Sequence, residues 1–203
     1  ARDLALSLQR ENPHVTIGIH TVISTLNVDR FPDVHRQLKE LRPDSYITEI
    51  AEERVELKTV GKEITPGGEA YGRAADYLIG EMRRNRSANP MGRLVESFRL
   101  EYYDLVKEYL ERREQVIPCY AGWASAQIAP DGHVWGCCVR AESVGSLRDA
   151  GYDFGKVWFS PQADAFRRTV FERQCACPLA NASYTNMLVS TRSLARVFRN
   201  WVR

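Results

Sequence analysis

The sequence predicts an α/β protein in two parts, a strand–helix–strand unit near the N-terminus and a small α+β region built on a β-hairpin near the C-terminus. Three observations carry that prediction. Residues 15–50 read as strand, helix and strand in close succession. Two β-rich runs flank Asp131-Gly132, a pair that tolerates the positive φ of a tight hairpin turn. All five cysteines follow residue 118, so the two parts also differ in chemistry.

The chain opens with ARDLALSLQRENP, a polar stretch that reads as a helix and has no apolar core of a secretory signal. Its first residue is Ala rather than Met, and the expectation is an internal fragment or an excised domain. VTIGIHTVI (15–23) is rich in β-branched residues and reads as a strand. Alternation puts Val15, Ile17, Ile19 and Ile23 on one face and Thr16, Gly18, His20 and Val22 on the other. Asn27 or Asp29 is placed to cap a helix with the stripe Phe31, Val34, Leu38 and Leu41, and Pro43 stops it. SYITEI (45–50) follows as a second strand, which makes a βαβ unit with a parallel pair and a right-handed crossover.

Beyond an acidic loop, Thr65-Pro66 is a helix start, with Tyr71, Ala75, Leu78 and Met82 on its apolar side. NRSANPMG (85–92) reads as a linker, followed by a long helix with the stripe Leu94, Phe98, Tyr102, Leu105 and Tyr109 that ends by Pro118. In the second region AQIAPDGHVWGC is the hairpin, SVGSLRD a loop, and Ser160-Pro161 the start of a short helix through Phe166 and Val170. QCACPLANASYTN reads as irregular. SLARVFRNWVR closes the chain as an amphipathic helix with Leu194, Val197, Phe198 and Trp201 on one side and arginines on a solvated face.

Composition narrows the function classes only a little. Apolar and charged fractions of 44% and 27% are ordinary for a globular chain, and a net charge of +2 gives no argument for nucleic acid. No apolar run approaches the ~20 residues of a membrane-spanning helix, so a cytoplasmic location without membrane contact is expected.

The cysteines say more. Five is an odd number for a disulfide framework, and they fall in two tight groups. Cys175 and Cys177 are two apart, so in extended backbone both thiols face one way. Cys137 and Cys138 are adjacent, and in a strand they would face opposite ways. One of them is therefore expected to ligate, leaving Cys119, Cys137, Cys175 and Cys177 as a four-thiolate set. Four thiolates suit a [4Fe–4S] cluster, a [2Fe–2S] cluster or a structural zinc, and ligand softness does not separate these. Buried cysteines acting as small hydrophobes are the plainer reading, which a Cys-Ala-Cys-Pro step fits poorly.

The spacing from Cys119 through Gly132 to Cys137, with IAPDGHVWGC, VGSLRD and VWFSPQADAFR around it, resembles the SPASM and twitch domains of radical S-adenosylmethionine enzymes. IHTVISTLN, the following helix and SYITEI are similar to the fifth and sixth strands of the barrel that precedes such domains. The resemblance implies a fold and a division: the C-terminal part of a partial (β/α)6 barrel over 1–90, a connecting helix over 91–118, a small α+β SPASM/twitch domain over 119–190 and a C-terminal helix over 191–203. Two departures stand out. The cysteines suffice for one cluster, as in the shorter twitch type, and the closing pair is Cys-x-Cys rather than Cys-x-x-Cys. The Cys-x(3)-Cys-x(2)-Cys motif that binds the S-adenosylmethionine-cleaving cluster does not occur.

The resemblance further implies an auxiliary [4Fe–4S] cluster on Cys119, Cys137, Cys175 and Cys177. That cluster would relay electrons or position substrate in a radical oxidoreductase whose complete form also binds S-adenosylmethionine and a second [4Fe–4S] cluster. Partners implied are an electron donor and a peptide or small-molecule substrate. His20 and Asn27 are candidate S-adenosylmethionine contacts, with a core histidine and an ordinary helix cap as the alternatives. Cys138 is read as a neighbour that tunes the cluster's surroundings, and His133 as an exposed turn residue. Asn181 and Tyr184 either donate hydrogen bonds near the site or shape the loop. Two competing readings remain, a non-catalytic interaction domain stabilised by zinc on the same four cysteines and a degenerate barrel that binds a partner.

Overall fold

In the computed structural model, which describes residues 2–12 and 14–203, β1 (Gly18–Ile23) and β2 (Ser45–Ile50) pair in parallel from Gly18 opposite Ser45 to Ile23 opposite Ile50. A 3₁₀ turn (Val28–Arg30) and α2 (Phe31–Lys39) form the crossover, and α1 (Arg2–Glu11) precedes the unit. The expected βαβ unit is therefore present. Among the described residues no further strand joins this pair, so they form a two-stranded parallel sheet and not the expected partial barrel.

The strand faces are set by what covers them. Ile23, Thr48 and Ile50 are buried beneath helices, whereas Gly18, His20 and Val22 are exposed on the other side. Val15 and Ile17 lie before β1, so the apolar face is shorter than alternation predicts. Asn27 does not cap. Its side chain turns back, accepting from the Ser24 amide (2.9 Å) and donating to the Val22 carbonyl (2.9 Å), which locks the chain reversal after β1. The buried positions of α2 are Phe31 and His35, one turn apart. His35 is not in the predicted stripe; its Nδ1 lies 3.1 Å from the Tyr77 hydroxyl, which satisfies a buried imidazole.

α3 (Gly68–Arg84) and α4 (Pro90–Arg112) supply the main core, from Tyr71 and Leu78 on one to Tyr102 and Val106 on the other. α3 starts two residues past Pro66, after Gly67. α4 starts inside the expected linker, because the Asn89 side chain caps the Met91 amide and Pro90 suits the first helical position.

In the second region β3 (Gln127–Ile128) and β4 (His133–Trp135) make the hairpin, with Gly132 at φ +92° in its turn. The expected loop SVGS is instead a third strand, β5 (Ser143–Ser146), antiparallel to β4. β4 stops at Trp135, so Cys137 and Cys138 lie in a turn rather than a strand. α5 (Phe154–Trp158) and α6 (Pro161–Phe171) cover this sheet, and the Ser160 side chain caps α6 as expected. The ring of Phe166 is 2% exposed and fills the space left by Gly122 and Gly136. Arg167 is buried with its guanidinium against the rings of Trp123 and Trp158, donating to the carbonyls of Gly122 (2.6 Å) and Trp158 (2.6 Å).

The stretch read as irregular is so only to Leu179; α7 (Ala180–Leu188) follows, then α8 (Thr191–Val202). α8 packs on α4 through Ser193 and Val197. Arg192 and Arg196 face α4 and pair with Glu108, while Leu194 and Phe198 are exposed, so its expected inner and outer faces are partly exchanged. Charge pairing along α4 decides the rotation. Among the described residues no helix is long and apolar enough to cross a membrane.

Candidate metal centre

Four segments converge where the two regions meet. α4 ends with Arg113 in the left-handed conformation, its amide donating to the Tyr109 carbonyl (2.7 Å), and the chain turns back to deliver Cys119. The Gln115 side chain donates to the carbonyls of Cys175 (2.9 Å) and Val170 (3.2 Å), which ties that return to the closing cysteines. Two α4 tyrosines a pair of turns apart hold the same segment. Tyr102 donates to the Pro178 carbonyl (3.2 Å) and Tyr109 to that of Ala176 (3.4 Å). Residues 175–178 thus lie outside any helix or strand while side chains satisfy the carbonyls of Cys175, Ala176 and Pro178.

Cys119, Cys175 and Cys177 line one small cavity of about 50 Å³, walled by Val106, Tyr109, Ile117 and Ala182. Cys137 stands beside them in the turn after β4, close enough that its charge bears on Cys119 and Cys177. All five thiols are free. Among the described residues no three His, Cys, Asp or Glu side chains stand at metal-binding separation. The sulfurs are gathered around one place without being closed on it.

The surroundings suit thiolates. Cys119 accepts from the Ala121 amide, Cys177 from the Leu179 amide, and Cys137 from the amides of Arg140 and Val139. Three of the four thus meet the amide two residues ahead, a turn that aims N–H groups at sulfur. For Cys175, Arg140 supplies the donor, its Nη1 standing 3.9 Å from Sγ. Arg140 is itself fixed by Thr169 (2.8 Å), by the Phe166 ring beneath it and by Glu142.

Burial works against charge here. It pushes the Cys119 thiol up, with the Ala121 amide and Asn186 pulling back, and it pushes Cys177 up to about 12. Cys137 is drawn down, first by a hydrogen bond from Cys138 and then by its two amides, and Cys138 is raised as that bond's donor. Buried thiols that neutral donors already address release their protons when a cation takes the protons' place.

Cys138 is buried against Leu179 and Ala182. The expectation that it faces away from Cys137 because a strand alternates does not hold, since the pair sits in a turn and is hydrogen-bonded. Asn186, rather than Asn181, is the asparagine at the site. Its Oδ1 accepts from the Tyr120 amide (2.9 Å) and its amide group addresses Cys119. In helical α7, Ala182, Ser183 and Asn186 share the face toward the cysteines. Asn181 and Tyr184 line a cavity on another side, where Tyr184 stacks on Tyr102.

Sequence reading also missed the loop after β2. Its Val55 amide donates to the Val139 carbonyl (3.2 Å), and Arg54 pairs with the buried Glu52 (2.8 Å) beside Cys137 and Cys138. The carboxyl end of β2 therefore leads straight to the cysteine turn. His20 and Asn27 are not among the residues around the cysteines. His20 pairs with Glu49 (3.4 Å) on the exposed face of the sheet, and Asn27 closes the turn after β1.

Residues 119–178 match the family SPASM, an iron–sulfur cluster-binding domain. The match opens on Cys119 and closes one residue past Cys177, so it spans all four predicted ligands. No curated protein and no solved structure matches the chain. The donor set fits such a cluster: four soft sulfurs, no competing disulfide, and N–H groups aimed at each of them.

Proposed function

We propose that the SPASM-type segment holds one auxiliary [4Fe–4S] cluster on Cys119, Cys137, Cys175 and Cys177, as the C-terminal part of a radical S-adenosylmethionine enzyme. The observation that carries the reading is the convergence of four free thiols inside the matched region, three addressed by backbone amides and Cys175 by the Arg140 guanidinium. Bound there, the cluster would supply one-electron chemistry. The chain's own residues do the rest. The amides of Ala121, Val139, Arg140 and Leu179 offset thiolate charge, Asn186 orients Cys119, and Tyr109, Ile117 and Val106 keep water from the sulfurs.

The strand pair would be the end of a partial barrel. In parallel α/β sheets ligands bind outside the carboxyl ends of the strands, and here that end leads to the cysteine turn. His20 and Asn27 would lie on the S-adenosylmethionine side of a complete enzyme that also carries a second [4Fe–4S] cluster. An electron donor and a peptide or small-molecule substrate would complete the reaction, in the cytoplasm. Without the three-cysteine motif, the residues present would not generate the radical themselves.

One observation favours a second reading. The cavity of about 50 Å³ is small, and four thiolates also suit a structural zinc in a non-catalytic domain. Anaerobic purification separates the two: a brown protein absorbing near ~400 nm with iron supports the cluster. A colourless protein with stoichiometric zinc sinks it.

A further inference from the structure

The loop after β2 carries a charged group that thiol ligation alone does not require. Glu52 stands two residues past the strand and is 7% exposed. Its Oε2 accepts from Nε of Arg54 (2.9 Å) and lies 2.8 Å from Nη2, while Nη1 donates to Glu56 (3.2 Å). The Arg54 amide in turn donates to the Thr59 hydroxyl (2.9 Å). All three guanidinium nitrogens are therefore held, and the arginine is a fixed cation.

The loop bridges two places. On one side the Thr25 amide, just beyond β1, donates to the Ile64 carbonyl (3.0 Å), and the Thr25 hydroxyl donates to that of Glu63 (3.1 Å). On the other the Val55 amide donates to the carbonyl of Val139 (3.2 Å), two residues past Cys137. The ion pair thus sits between the carboxyl end of the sheet and the ligand turn. Its charges reach the thiols, Glu52 acting on Cys137 and Cys177 and Arg54 on Cys138. The other charges at the turn, Arg140 and Glu142, pair with each other. A buried ion pair adds little net stability over apolar packing, and a carboxylate beside sulfurs that become anionic is adverse by itself. An electrostatic use accounts for both.

We infer that Glu52 and Arg54 are positioning residues for the cysteine site: they hold two opposite charges at fixed places beside the ligand turn and so set the redox potential of what the four thiolates bind. Glu56 and Thr59 keep the arginine in place, and the Val55–Val139 bond keeps the loop on the turn. The inference rests on the four-cysteine [4Fe–4S] reading above and adds to it how the end of β2 acts on the site.

Redox titration of the anaerobically reconstituted protein tests the inference. Glu52→Gln removes a negative charge beside the sulfurs and should raise the midpoint potential, whereas Arg54→Gln removes a positive one and should lower it. Each shift is expected to be about tenfold in the ratio of reduced to oxidised protein, which is about 59 mV for one electron. Arg54→Lys keeps the charge and should stay near the unaltered value, and the double variant Glu52→Gln/Arg54→Gln should return close to it. A merely structural role would move both single variants the same way or neither. If Arg54→Gln does not fold, with Glu52 left buried and unpaired, Glu52→Gln and the double variant still decide the matter. Iron-loaded variants with unmoved potentials, or with shifts of one sign, overturn the inference and leave the cluster reading standing. An unaltered protein that takes up no iron overturns both.

Discussion

Gly136→Ala tests how the cysteine turn is held. Gly136 immediately precedes Cys137, and a methyl group there would stand 2.7 Å from Cζ of Phe166 and nearer still to two other ring carbons. Ordinary carbon contacts need about 3.5 Å or more, so something must move by close to 1 Å. The ring cannot yield easily. Phe166 is 2% exposed, packed with Val134, Val144 and Val170, and carries the Arg140 guanidinium 4.8 Å above it. Overpacking of this kind costs roughly 1–3 kcal/mol. For a chain of 203 residues each kcal/mol lowers the melting temperature by about 2–4 °C. The alternative to moving the ring is moving Cys137, which would weaken metal retention as well. Thermal melts and metal content of Gly136→Ala read both effects, and Phe166→Leu added to that variant should recover part of each. Unchanged melting and metal content in Gly136→Ala would refute the claim that this glycine–ring contact sets the turn.

Two further outcomes follow from charges at buried and half-buried positions. Glu101 on α4 is fully buried with no hydrogen-bond partner within 3.5 Å, and burial pushes its carboxyl up to about 7 from 4.5 although Arg196, 3.8 Å away, and the Ser193 hydroxyl pull it down. Between these values the folded chain keeps a proton that the unfolded chain has released, so stability falls as pH rises through that window, by on the order of 3 kcal/mol. Glu101→Gln should flatten the dependence and be the more stable protein at pH 8. Equal pH profiles in urea unfolding would contradict it. Arg140→Gln removes a positive charge beside Cys175 and should lower the cluster's midpoint potential, since the reduced form carries the extra negative charge. The shift should be on the order of 50 mV, about 1 kcal/mol for one electron, and an unchanged potential in a redox titration would count against the contact.

The βαβ unit, the hairpin and the SPASM-type segment were legible because each rests on local signals: β-branched runs, an Asp-Gly turn, and cysteine spacing. The misses have physical causes. α7 lay hidden because ANASYTN lacks an apolar stripe, and only tertiary packing of Ala180 and Met187 makes it helical. β5 was missed because SVGS is short and holds a glycine, at φ +146°, with Val157 packed where a side chain would be. The face of α8 was misjudged because Glu101 and Glu108, about ninety residues earlier, draw its arginines inward. Asn186 and Gln115 serve the cysteines through contacts some sixty residues away in sequence, which no spacing rule reveals. The strand that would have turned Cys138 away from Cys137 is absent. What sets Cys138 apart instead is its thiol, which donates to Cys137 and packs among Leu179 and Ala182.

The most direct measurement is iron and acid-labile sulfide per chain after anaerobic reconstitution, in the unaltered protein and in the five single Cys→Ala variants. The unaltered protein and Cys138→Ala are predicted to hold about four of each, as four-thiolate ligation of one [4Fe–4S] cluster requires. Alanine at Cys119, Cys137, Cys175 or Cys177 should reduce both to well under half. Stoichiometric zinc without sulfide, or a Cys138→Ala protein as depleted as the others, would contradict the account.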